Sequence, residues 1–155
     1  MDLWSRCRSF RVVSVSRRKQ EQRLFRRIVP DWEIATEIFP DLPDVEVVFT
    51  DEAGTEGRQF AYFDPNTKEI GLSPRIVKEP AHRQRGVFRH EVGHLIHDCY
   101  GRETVKEKIG VSLSKSDEIL ADQIAAYVYG EPILYDDDEV QSISRGDPER
   151  PAHLG

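Results

Sequence analysis

The segment His90-Glu91-Val92-Gly93-His94 has the residue types and spacing of a metal-dependent hydrolase. If it is helical, residues four apart nearly superpose, one turn and about 6 Å further along the axis. Two imidazoles on one face can then converge on a single ion at about 2.0–2.1 Å each. Glu91 falls on the flank beside them. There it can reach a water held by the ion without ligating the metal, as a general base must. Two ligands do not complete a catalytic site, which takes three from the protein and leaves a position open. The next helical pattern supplies Glu118, with Asp122 one turn later on the same face. Between Ile119 and Tyr129 that segment is apolar apart from Asp122 and Gln123. A carboxylate on such a helix is expensive unless it is paired or bound to metal. Glu118 as ligand, with Asp122 on the outer nitrogen of a ligating histidine, satisfies both groups. Two alternatives stay open: Asp122 as the ligand, or Asp117 and Glu118 placed only to favour a positive helix N-terminus.

The elements that must position these residues follow from periodicity. A helix is expected over 83–100, closed by Gly101, and a second over 116–129, with Ser114 or Ser116 as N-cap and Gly130-Glu131-Pro132 as the stop. On the first, Phe88, Val92, Leu95, Ile96 and Cys99 form an apolar stripe roughly opposite the histidines. Gly86 and Gly93 lie beside the histidine face. Each costs about 1 kcal/mol of helix propensity, which points to a close approach by another element. Upstream, Pro30 and Pro40 separate and close two short helices at 20–28 and 31–38. Residues 45–50 read as a strand, 51–54 as a turn, and 58–63 with 68–72 as a hairpin around Asp64-Pro65-Asn66. Ser73-Pro74 suits the start of a short helix.

Here the sequence resembles a known group. His-Glu-x-Gly-His followed by Glu118-Ile119-Leu120-Ala121-Asp122-Gln123-Ile124-Ala125 is similar to the gluzincin metallopeptidases, and among small members to the ImmA/IrrE family. The similarity covers residues 60–130, and Ile124 departs from a pattern in which phenylalanine is common. Ile70-Gly71-Leu72-Ser73-Pro74 resembles the strand that runs above the active-site helix in such proteins. The resemblance implies an α+β, zincin-like domain, with a short antiparallel sheet packed on the active-site helix and on a second ligand-bearing helix. It implies one Zn2+ per chain, held by His90, His94 and Glu118, with Asp122 behind them and Glu91 catalytic. The family's association with repressor cleavage and stress or mobile-element regulation would make such activity regulatory.

Other polar residues are weaker candidates. His97 shares the histidine face but also suits the C-terminal end of the helix dipole. His82, Tyr127 and Tyr62 are open to auxiliary roles or to none. The three-histidine pattern of metzincins is absent, because Tyr100 stands at its third position.

Length and charge frame the whole. The 155 residues suit one domain with a real core, here expected over 20–135. Residues 1–28 hold nine Lys/Arg against Asp2 and Glu21, so the remainder is strongly acidic for the net charge to be −6. Residues 1–19 read as a basic arm, either a solvated extension or a contact for nucleic acid or a partner protein. Residues 136–155 read as an acidic, loosely packed tail. There is no apolar run of membrane-spanning length, and arginines interrupt the region where a signal peptide needs its apolar core. Cys7 and Cys99 do not make a disulfide framework. These features fit a cytoplasmic protein without membrane attachment. Two functions compete: hydrolysis of a protein or peptide substrate paired along residues 68–72, or a non-catalytic zinc-binding regulatory module whose arm contacts nucleic acid or protein. Glu91 separates them, since a structural site has no use for a base there.

Overall fold

The computed structural model describes residues 10–12, 19–50 and 60–132. Within the segment read as an arm, Phe10–Val12 forms a strand, β1. The rest of the arm, the turn at 51–54 and the acidic tail lie outside the described residues.

Apolar side chains recur on one face from Leu24 to Ala35, and they make a single helix, α1 (Lys19–Ile38), in place of the two short helices expected. Pro30 sits inside it and is exposed. Its missing N–H and ring clash fall on the solvent side, where water can take the freed carbonyl and a slight bend is tolerated. Burial of Leu24, Phe25, Ile28 and Val29 before the proline and Trp32 and Ala35 after it keeps the two halves in register. Each such side chain contributes about 1.5–3 kcal/mol, enough to outweigh one proline.

Strands β2 (Val45–Phe49), β3 (Ala61–Asp64) and β4 (Glu69–Leu72) follow. The sheet order is β1-β2-β4-β3. β1 and β2 are parallel, β2 and β4 are parallel, and only the β3–β4 hairpin is antiparallel. The sheet is therefore mixed, not the short antiparallel one expected, because α1 carries the chain from β1 back to the start of β2. β4 is paired on both sides. Residues 68–72 thus offer no free edge to a substrate strand, and β3 is the edge beside the helices. Gly71 faces Tyr62 across the hairpin, where a Cβ would lie 2.2 Å from the tyrosine ring. Lys68 closes the hairpin with φ 58° and reaches Asp98 through its ammonium.

The Ser73 side chain caps a short 3₁₀ turn, Pro74–Lys78. Helix α2 (Ala81–Tyr100) ends at Gly101, whose φ of 80° lets the chain turn directly into α3 (Arg102–Ile109). No element is expected from the sequence over α3, because its eight residues carry one buried side chain, Val105, and so show little periodic signal. Ser116 then caps α4 (Asp117–Tyr129), with its hydroxyl accepting from the Ile119 N–H, and left-handed Gly130 closes it. α2 packs most extensively on α4, and both meet α1. Trp32, Ile70, Leu72, Phe88, Leu120 and Ile124 are fully buried where the helices meet the sheet. Cys99, expected in the buried stripe, is exposed. No helix among the described residues is long and apolar enough to cross a membrane.

Candidate metal centre

The site is built where α2 and α4 touch. Gly93 lies one turn from His90 and beside His94, and a Cβ there would sit 2.2 Å from the carbonyl oxygen of Ala121. Only a glycine lets the two backbones approach this closely. The approach carries the first two turns of α4, with Glu118 and Asp122, over the histidine face. Two polar networks fix α4 in that pose. The Gln123 side chain accepts from the Ser114 N–H (2.7 Å) and donates to the Ser112 carbonyl (3.0 Å). Arg89, next to His90, forms a bidentate pair with buried Asp31 of α1 (2.9 and 3.0 Å) and also reaches Glu131 past the end of α4. Its guanidinium lies over the Tyr129 ring, and the Tyr129 hydroxyl donates to the Asp31 carbonyl. Nothing in the sequence links positions 31, 89 and 131. The tertiary packing alone brings them together.

Within this frame His90, His94 and Glu118 converge. Their ligand atoms lie within 4.8 Å of one another, the one such His/Cys/Asp/Glu group among the described residues. His90 Nε2 is 3.1 Å from His94 Nε2 and 2.9 Å from Glu118 Oε2, and His94 Nε2 is 3.2 Å from Glu118 Oε1. On the far side of the ring, His90 Nδ1 lies 2.7 Å from Asp122 Oδ1. A carboxylate only accepts, so Nδ1 carries the proton. The Nε2 lone pair of a neutral His90 then faces a ring nitrogen of His94 and a carboxylate. A positive charge among these atoms, whether a cation or a second proton on His90, would be favoured. Burial opposes the imidazolium, but the hydrogen bonds to Asp122 and Glu118 outweigh it and push His90 up to about 10. The hydrogen bonds from His90 and His94 hold Glu118 well below the usual carboxylate range. Ligand bonds of about 2.0–2.1 Å in a tetrahedron require donor atoms roughly 3.3–3.4 Å apart. The His90–His94 and His90–Glu118 separations are near that value, while His94 meets the other carboxylate oxygen, so two imidazoles and one carboxylate lie within metal-binding distance of one another.

The two acids differ in setting. Asp122 is buried, as a group behind the ligand should be, whereas the Glu118 side chain is 75% exposed. The expected cost of burying Glu118 therefore does not arise; the site opens to solvent on its side. Glu118 also lies in the first turn of α4, where a carboxylate is favoured by the helix dipole in any case. Glu91 is buried on the flank, and among the described residues its carboxylate has no hydrogen-bond partner. Burial raises its pKa, against the opposing pull of His90 and His94.

The auxiliary candidates fall outside this cluster. His97 is in the last turn of α2 and is not among the converging ligands. His82, just outside the helix expected over 83–100, is exposed in the first turn of α2, two turns from His90. Tyr127 is exposed on α4, and the Tyr62 hydroxyl donates to Glu69 at 2.8 Å. Compared with known proteins, the chain matches no family model, no curated protein and no solved structure.

Proposed function

We propose that this protein is a zinc-dependent peptidase of the gluzincin kind. The observation that carries the reading is the convergence of two imidazoles and an exposed carboxylate beside a buried glutamate that makes no hydrogen bond among the described residues. Zinc, when bound, polarises a scissile carbonyl and lowers the pKa of water towards about 7. His90, His94 and Glu118 would hold the ion, and exposure of Glu118 leaves a side open for substrate, whereas a structural site is closed by four protein ligands. Asp122 holds the His90 ring in the tautomer that presents Nε2. Glu91 takes a proton from the attacking water on its carboxylate and delivers it to the leaving amine. Its raised pKa strengthens it as a base and moves its working range towards neutral pH. An extended peptide would pair along the edge of β3, since β4 is enclosed.

The test combines metal analysis with cleavage of a quenched-fluorescent peptide library. Zinc-loaded wild type should hold one ion per chain and cleave members of the library. Glu91→Gln should keep the ion and lose about 10²–10⁴ of the rate, while His94→Ala loses the ion. Cleavage that survives in Glu91→Gln would remove Glu91 as the base, and a wild type that takes up no zinc would end the proposal.

A further inference from the structure

α1 commits one face to the core through Leu24, Phe25, Ile28, Val29, Trp32 and Ala35. At about 100° per residue, the opposite face of its first two turns carries Lys19, Arg23 and Arg26 within a sector of about 60°. All three are exposed, and among the described residues none makes an ion pair. Glu21, the one acid in these turns, is buried on the other side. Arg27 flanks the stripe and donates to the Gln84 side-chain oxygen at 2.7 Å. The Gln84 amide in turn donates to the carbonyls of Ile76, Val77 and Glu79. One buried glutamine thus fixes α1 against the 3₁₀ turn and the start of α2, which add the exposed cations Lys78 and Arg85. Further along, the same face of α1 turns acidic with exposed Glu37, followed by exposed Asp41 and Asp44, and other exposed acids (Asp98, Glu103, Glu107 and Asp117) lie at the end of α2, on α3 and at the start of α4.

We propose that the basic face of the first two turns of α1 docks the phosphate backbone of duplex nucleic acid. In a chain of net charge −6, a face of cations that make no ion pair among the described residues is not produced by overall composition. Its cations are mostly arginines, whose planar forks suit phosphate oxygens. A membrane surface is disfavoured because the apolar side of α1 is buried in the core, and the exposed large hydrophobics among the described residues, Ile34 and Tyr127, lie outside the stripe. A protein partner would want an apolar centre, and single strands would want aromatic platforms. The stripe has neither. Arg17 and Arg18 directly precede Lys19 in the sequence and lengthen the run. The proposal does not depend on the peptidase reading.

Full-length protein is titrated against a fluorescent duplex of about 20 base pairs over roughly 50–200 mM salt. The wild type should bind with a steep salt dependence. In Lys19→Ala/Arg23→Ala/Arg26→Ala the slope of log K against log salt should fall by about 0.9 per lost phosphate contact, about 2.7 in all. Alanine suits exposed helix positions, so circular dichroism and zinc content should not change. Absence of salt-dependent binding by the wild type overturns the proposal. So does an unchanged slope in the triple variant, or tighter binding to phosphatidylserine vesicles or polyglutamate than to the duplex.

Discussion

Asp122 decides what His90 can do. With Nδ1 donating to this carboxylate at 2.7 Å, the ring must offer its Nε2 lone pair towards His94 and Glu118. Asp122→Asn keeps the shape but removes the charge that holds the ring and strengthens it as a donor. Zinc affinity, measured by competition with a chromophoric chelator, should fall by about 10–100-fold, with one ion still bound at saturation. An affinity equal to wild type would show that Asp122 serves packing alone. Glu118 behaves differently because it is exposed. Its role rests on reach and not on the cost of burial, and it keeps its negative charge through its histidine partners.

Among the elements, the pairing of α2 with α4 makes the site, and Gly93 sets their separation. A Cβ at position 93 would meet Ala121 backbone, which cannot swing aside as a side-chain tip would. Gly93→Ala should therefore push α4 away from α2. We expect a loss of about 1–3 kcal/mol in denaturant unfolding even though alanine is the better helix former. Zinc affinity should fall as well, because Glu118 and Asp122 ride on the displaced helix. A variant with wild-type zinc affinity and raised stability would refute the close approach. The hairpin is held to the same helix through Lys68 and Asp98, which sets β3 beside the open side of α2.

For the whole molecule, the Arg89–Asp31–Tyr129 cluster joins three helices at a point next to the proposed metal ligands. Arg89 is largely buried and Asp31 almost wholly so. Arg89→Met leaves a carboxylate without its partner and should cost about 3–5 kcal/mol in urea unfolding. Arg89→Met/Asp31→Asn removes both charges and should recover part of that loss. Equal losses in the two variants would mean that the pair matters only through its shape. The fold resolves a conflict at this scale too. Pro30 argues locally for a break, but the apolar face of α1 is continuous and the core keeps one helix.

What the sequence determined by itself was local. The spacing of His90, Glu91 and His94 placed them on one helix, Ser116 and Gly130 marked the ends of the next, and Gly93 announced a close approach whose partner it could not name. These signals rest on helical period and capping, which act over a few residues. The tertiary structure alone decided that β4 is an inner strand, that α1 runs through its proline, and that Cys99 faces solvent. It also decided that Glu118 is exposed while Asp122 is buried, and that Arg89 finds Asp31 across 58 positions. Each of these depends on which distant surface packs opposite, and on burial energy large enough to overrule a local preference. No nearest-neighbour pattern encodes either.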